Sequence, residues 1–321
     1  MPTDVSLTFE PDNKDSVPIA VVVGGDYDGE KVYLNDSSSS GGKKKPKRHL
    51  DFDRLKTGGM RSRDREAIKL KLQEAHARGI PPEHLQVEGP GVREMYEDMV
   101  EETKKETSLD LPPDSQFNLL PSCKKDVREV WYIAGPSGSG KSYIAKGLAE
   151  RYRKQFPDRE VYLVSKLKED STLDSMKGGP PIRLDIQKLV DKPIKDLDNL
   201  EDCLIIFDDY DTFVKPFAST VQKLIDDIAT MGRHSNTTML CLSHYLSNYA
   251  KTRLLLCEAT HFVLYPAATG NHALTYLLKT YLGFDADETA AIRKIKTRWI
   301  CIHKCFPQWV VSEHSAHILH Q

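Results

Sequence analysis

An α/β fold, with a mainly parallel sheet flanked by helices and preceded by a partly disordered N-terminal region, is predicted by three observations. From Phe117 onward, short apolar runs of strand type alternate with helix-length amphipathic segments, the pattern of a parallel sheet whose crossovers are helices. The first such run, "VREVWYIA", passes through a glycine-rich turn into "KSYIAKGLAERY", which has helical periodicity. A later run, "DCLIIFDDYD", is apolar throughout and ends in carboxylates, as expected of a strand buried on both faces with its C-terminal end open.

Three units are expected along the chain. Residues 1–36 form a small N-terminal β-hairpin segment, because "VPIAVVVGGDYDGEKVYL" alternates as two strands around a Gly/Asp turn. Residues 37–115 form a basic linker and charged helices. The polar "NDSSSSGG" spans the boundary into this stretch, which continues into the basic run 43–48 of "KKKPKRHL". Such a run suits a solvated linker, a nuclear-import signal or a phosphate-contacting tail. A charged helix is expected over Ser62 to Ala77, stopped by Gly79 and Pro81-Pro82. A second, acidic helix follows in "VREMYEDMVEETKKE", before the breaker "LDLPPDS". The first part of the chain is poor in core residues.

Residues 116–321 form the third unit. Strands are expected at Val130–Ala134, Val161–Ser165, Leu204–Phe207, Met239–Ser243 and Phe262–Tyr265, and helices at Ser142–Gln155, Phe217–Thr230 and Asn271–Tyr281. "TRWICIHKCFPQWVVS" adds two strands broken at Pro307. Strand, phosphate loop, helix and further strands, in that order, make a P-loop NTPase core.

Composition excludes some classes. A net charge of −2 does not mark a nucleic-acid coat or a basic membrane binder. The six cysteines lie scattered in apolar runs without a disulfide framework, the usage of a reducing intracellular compartment. No stretch reaches the roughly 18–20 apolar residues of a membrane span, and "MPTDVSLTFEPDNKD" does not resemble a signal peptide.

"GPSGSGKS", comprising Gly135, Pro136, Ser137, Gly138, Ser139, Gly140, Lys141 and Ser142, fits G-x-x-x-x-G-K-[ST]. Gly138 and Gly140 permit backbone angles that turn consecutive N–H groups toward an anion, and the following helix adds its dipole there. Lys141 is expected to reach the β- and γ-phosphates of ATP, and the Ser142 hydroxyl to ligate Mg²⁺. Asp208 ends a neighbouring strand and is the second Mg²⁺ candidate. Asp209 points elsewhere and is the candidate base for a water attacking the γ-phosphate, which would make the protein a hydrolase. Many such hydrolases carry Glu at this place. Ser243 and His244 close another strand. If that strand lies between the first and the acidic one, they can sense the γ-phosphate. Arg233, after a helix end, is a candidate arginine supplied to a neighbouring subunit, and Arg253 competes with it for that role.

The set "GPSGSGKS", "LIIFDD" and "GRHSNTTMLCLSH", at this spacing, resembles the DNA-packaging ATPases of large double-stranded DNA viruses, including the poxvirus type, within the FtsK- and HerA-like P-loop NTPases. Gly232, Arg233 and His234 match the family's Gly-Arg-His. Ser243 matches the polar strand end, whereas His244 replaces the usual glutamine. The similarity spans about Leu119 to Tyr265. It implies ATP hydrolysis driving double-stranded viral DNA into a capsid, by a homo-oligomeric ring binding ATP between subunits. It places the protein in a host cytoplasmic virus factory, in the nucleus or with the virion.

Two other readings stay open. A P-loop kinase acting on a nucleoside, nucleotide or other small acceptor would need an arginine-bearing lid, for which "DETAAIRKIKTRW" offers Arg293 and Arg298. A non-hydrolysing, nucleotide-dependent scaffold fits the double aspartate poorly. Cys301, His303 and Cys305 alternate in "CIHKC" and read as strand core rather than a zinc site, which prefers a turn between its ligands. Lys166, Lys168 and Lys177 lie in a polar Gly/Pro loop that reads first as solvated; in a kinase it would hold the acceptor, and in a ring motor it would project into the pore.

Overall fold

The computed structural model describes residues 5–36, 62–77, 80–87, 89, 91–192, 194 and 200–319. The basic run 43–48 lies outside them. The strands are β1 (Val5–Thr8), β2 (Val17–Val23), β3 (Lys31–Asp36), β4 (Ser108–Asp110), β5 (Gln116–Leu119), β6 (Val130–Ala134), β7 (Val161–Val164), β8 (Ile182–Arg183), β9 (Leu204–Phe207), β10 (Thr238–Ser243), β11 (His261–Leu264), β12 (Ile300–His303), β13 (Trp309–Ser312) and β14 (Ser315–Ile318). The helices are α1 (Ser62–Ala77), α2 (Val92–Thr107), α3 (Lys141–Gln155), α4 (Ile186–Asp191), α5 (Phe217–Met231), α6 (Tyr249–Glu258), α7 (Asn271–Tyr281) and α8 (Ala286–Lys294).

Ten strands make one sheet in the order β4-β14-β13-β12-β11-β6-β10-β9-β7-β8. From β11 to β8 neighbouring strands run parallel, and from β11 outward to β4 they run antiparallel. The parallel half contains every strand expected there from its apolar run. β10 lies between β6 and β9, in register Cys241 to Tyr132 on one side and Cys241 to Phe207 on the other. That insertion brings the ends of the phosphate-loop strand, the acidic strand and the Ser243-His244 strand to one edge. Sites of open parallel sheets form at this carboxyl edge.

Alternation along β6 shows the two faces. Val130, Tyr132 and Ala134 join a core with residues of α5, α6 and α7, including Leu224, Ile228, Leu255 and Leu277. Trp131 and Ile133 join the opposite core with Leu148 and Tyr152 of α3. Helix α5 illustrates the local rule: its buried Val221, Leu224, Ile225, Ile228 and Ala229 recur at one helical face. It ends at Gly232, whose N–H returns to the Ile228 carbonyl. Arg128 also caps this end, its guanidinium donating to the Ile228 and Ala229 carbonyls at 2.5 and 2.8 Å.

The N-terminal hairpin is β2–β3, extended on either side into a four-stranded sheet, β1-β3-β2-β5. Here the first part of the chain holds more core than its composition implied. Val5, Leu7, Ala20, Val22 and Val32 are buried in the same cluster as Trp131 and Val311. Alternation supplies one apolar face, and the antiparallel half of the large sheet receives it. Helices α1 and α2 share a small core of their own around Leu72 and Tyr96.

Candidate functional site

The phosphate loop leaves β6 at Gly135, whose N–H donates to the Ser243 carbonyl at 3.0 Å. Gly135 has no room for a side chain: a Cβ there would lie 2.5 Å from Tyr265 Cδ2 and 2.9 Å from Ser139 Oγ. Gly138 and Gly140 take φ of +75° and +111°, the left-handed region closed to most residues. Gly140 starts α3 without a side-chain cap, so the N–H groups of the first turn are left for an outside acceptor. Lys141 is buried, and its Nζ curls back to the carbonyls of Gly135 (2.9 Å) and Pro136 (3.4 Å). Ser142 lies half-buried beside it in the first turn.

Across β10, the chain leaving β9 carries the acids. Asp208 is buried, and its Oδ2 accepts the Ser165 hydroxyl at 2.9 Å. Burial first, then the neighbouring Asp209 charge, push the Asp208 carboxyl up to about 6. Asp209 takes a left-handed backbone, φ +46°. Its Oδ1 lies 3.8 Å from Lys141 Nζ and 3.6 Å from His244 Nδ1. A non-glycine residue held there marks a place where the surroundings impose the turn.

Asp211 ties these loops together. Its side chain is fully buried. Oδ2 accepts from the Ser243 hydroxyl (3.0 Å) and the His244 N–H (2.8 Å), and Oδ1 lies 3.3 Å from His244 Nδ1. Lys251 Nζ holds the Asp211 carbonyl at 2.8 Å. On its far side, His244 Nε2 lies 3.2 Å from Ser137 Oγ in the phosphate loop. A tautomer with Nδ1–H donating to Asp211 leaves Nε2 as acceptor for that hydroxyl. His244, in the place of the expected glutamine, therefore bridges the phosphate loop and the acidic loop.

The structure thus brings together Gly135 to Ser142, Asp208, Asp209, Ser243 and His244. It does not bring Arg233 to them. Arg233 follows α5 and precedes β10, at the opposite end of the parallel strands from the phosphate loop, beyond roughly 20 Å of strand. Its own chain's phosphates are out of reach. Arg253 is exposed in α6, with Nη1 donating to Tyr249 Oη at 2.7 Å. Lys166, Lys168 and Lys177 are exposed, and Lys166 Nζ donates to the Thr212 carbonyl. Their loop is fastened by Arg183, which pairs with both Asp174 oxygens at 2.7 and 2.8 Å. Of the "CIHKC" residues, Cys301 is buried and His303 stacks on Trp309, but Cys305 is exposed beyond the strand end.

Four residues near the site carried no assigned part in the hydrolase reading: Ser165, Asp211, Tyr265 and Arg298. Ser165 and Tyr265, like Asp208 and Ser243, directly follow or end a parallel strand. Strand-end position is the signal that could have found them. Arg298 comes from the connection between α8 and β12, and its Nε donates to the Ser139 carbonyl at 3.1 Å.

The residues present fit a nucleoside triphosphate with Mg²⁺. Ser139 Oγ is buried without a hydrogen-bond partner of good geometry beside the equally unpartnered Tyr265 hydroxyl. Among the described residues, Lys141 Nζ meets only carbonyls within hydrogen-bond range. A cation would offset both the burial and the Asp209 charge that together raise the Asp208 carboxyl.

Phosphate loop, inserted strand and facing acids define an α/β protein of the P-loop NTPase fold. No protein-family profile matches the chain. It is 34% identical over 225 residues to the uncharacterized protein V3 of the Sputnik virophage, an alignment covering 68% of this chain and 88% of the relative. The chain belongs to the family of that virophage protein. Among solved structures, it is similar to the genome packaging NTPase B204 from Sulfolobus turreted icosahedral virus 2 in complex with AMPPCP (TM-score 0.37, 14% identity, 55% of this chain and 91% of that one). It is also similar to the pCW3 conjugation coupling protein TcpA with ATPgS (TM-score 0.41, 11% identity, 65% and 66%). Among the described residues, no helix is long and apolar enough to cross a membrane.

Proposed function

We propose that this protein hydrolyses ATP to move double-stranded viral DNA into a capsid, working as a homo-oligomeric ring. The observation that carries hydrolysis is the Asp209 carboxylate 3.8 Å from Lys141 Nζ, an acid of the chain itself at the place where the γ-phosphate would lie. The DNA part rests on the resemblance of the three motifs to packaging ATPases, and the viral setting on kinship with a virophage protein. The net charge of −2 gives it no support.

In this reading the N–H groups from Gly138 to Ser142 hold the phosphates, and Lys141 leaves its carbonyl partners to neutralise them. Ser142 and Asp208 are the groups that would hold Mg²⁺, which supplies charge stabilisation at the phosphate oxygens. Asp209 accepts a proton from water as the water oxygen bonds to the γ-phosphorus. The bond from that phosphorus to the β–γ bridging oxygen breaks, leaving ADP and phosphate. Ser243 and His244 sense the outcome, because any shift of Ser137 reaches Asp211 through one imidazole. Arg233 or Arg253 of a neighbouring subunit would stabilise the transition-state charge, worth about 3–4 kcal/mol for a well-placed donor.

ATP turnover with and without double-stranded DNA, alongside size measurement with nucleotide, tests this. Stimulation by DNA in an oligomer supports the motor, and Lys141→Ala abolishes turnover. The kinase alternative draws on the contact between Arg298 and the phosphate loop. A DNA-independent monomer that phosphorylates a small acceptor establishes it instead. If Arg233 acts between subunits, Arg233→Ala mixed with Lys141→Ala regains some hydrolysis at hybrid interfaces.

A further inference from the structure

Arg298 stands about 160 residues beyond the phosphate loop in sequence, yet its guanidinium lies on that loop. Nε donates to the Ser139 carbonyl, and a Cβ built on Gly140 would meet Nη2, Cζ and Nε at 3.4, 3.6 and 3.8 Å. The planar group therefore covers the open face of Gly140, the residue that starts α3. Its backbone is fixed independently. Glu313 Oε2 accepts from the Arg298 N–H (2.7 Å) and from Thr297 Oγ1 (3.1 Å), and the adjoining Trp299 is buried.

An arginine fork carries five N–H donors. Only Nε is engaged by a hydrogen bond among the described residues, which leaves the four on Nη1 and Nη2. They stand beside the free N–H groups of the α3 first turn. Guanidinium and backbone N–H donors converging on one place match the oxygens of a diphosphate.

We infer that Arg298 is a nucleotide-binding residue acting in cis, contacting the phosphates of a nucleotide held at Gly135–Ser142 of its own chain. The inference rests on that loop being a nucleotide site. It assigns the connection before β12 a part in binding under the hydrolase reading, with no acceptor substrate or lid closure.

The test is binding of a fluorescent ADP analogue to wild type, Arg298→Ala, Arg298→Lys and Lys141→Ala, with melting temperatures measured with and without ADP. Arg298→Ala weakens ADP by about tenfold, the loss of a charge-assisted contact at an exposed site. Arg298→Lys, which keeps charge but not the fork, falls between. Melting without ADP is unchanged in Arg298→Ala, while the rise produced by ADP shrinks. A mixture of Arg298→Ala with Lys141→Ala regains no hydrolysis, because neither subunit holds a complete site. Wild-type ADP affinity in Arg298→Ala, with binding lost in Lys141→Ala, overturns the inference and leaves the nucleotide site standing. So does a lowered melting temperature with the ADP-induced rise intact, which would make Arg298 structural, or regained hydrolysis in the mixture. Normal ADP binding by Lys141→Ala overturns the nucleotide site itself.

Discussion

Gly135→Ala isolates a single contact and puts a magnitude on it. Gly135 does not occupy the left-handed region, so alanine meets no backbone penalty there. What it meets is Tyr265. The added Cβ would lie 2.5 Å from Tyr265 Cδ2, about 1 Å or more inside ordinary carbon contact, and 3.2 Å from Cγ, a few tenths of an ångström inside it. Ser139 Oγ, at 2.9 Å, ends a short side chain that can rotate away. The ring cannot, because Tyr265 is 1% exposed and packed in the core shared with α3. Overpacking of this kind costs roughly 1–3 kcal/mol. Tyr265→Ala removes the obstacle but opens a cavity costing about 3–5 kcal/mol. In the double variant the clash is absent, so it should be about 1–3 kcal/mol more stable than the sum of the single losses predicts. Urea unfolding of the four proteins measures this coupling. Additive losses, within about 0.5 kcal/mol, refute the claim that Tyr265 is what keeps residue 135 a glycine.

Two further substitutions probe the polar parts. Asp211→Asn places an amide nitrogen against the donors that Asp211 accepts from Ser243 and His244. Stability should fall by about 1–3 kcal/mol and ATP turnover with it, and full turnover would break the proposed link through His244. At the other end of the sheet, burial pushes the Glu129 carboxyl from about 4.5 up to about 7, against a hydrogen bond from Trp131 Nε1. Between those values the folded state holds a proton that the unfolded chain has released. Stability contributed by Glu129 is therefore present below pH 4.5 and lost as pH rises through 7, by roughly 3 kcal/mol. His261, 3.9 Å away, opposes this. Burial, then the charge of His303, hold its pKa well below the ordinary value, so its contribution is lost as pH falls below about 6.5. Glu129→Gln removes the first slope and keeps the second. Its urea midpoint relative to wild type should rise between pH 5 and pH 8, and a constant difference would refute the assignment.

The parallel strands from Val130, Leu204 and Met239 were legible because each is an unbroken apolar run ending in a polar or glycine residue. The short edge strands β4 and β8, and β14 beside β4, were not, since each becomes a strand only through its neighbour. The same divide runs through the site. Gly135 to Ser142 are recognisable as a phosphate loop because their chemistry depends on residues adjacent in sequence, which set the backbone angles and start the helix. Asp208 was recognisable because a carboxylate at the end of a buried strand has few other uses.

Asp211 looked like any loop aspartate, and nothing local distinguishes it. Its importance comes from β10 entering the sheet between β6 and β9, which sets His244 against Asp211 on one side and Ser137 on the other. Arg298 lies on Gly140 only because β12 pairs antiparallel with β11, beside the phosphate-loop strand, and Arg233 is carried away from the phosphates by the full length of α5. Residues adjacent in sequence are enough to specify the phosphate loop, the acidic strand end and the individual parallel strands of the core. The order of those strands, and the distant side chains that meet at their ends, come from folding, because hydrogen bonds and excluded volume act over a few ångströms while the partners lie tens to hundreds of residues apart.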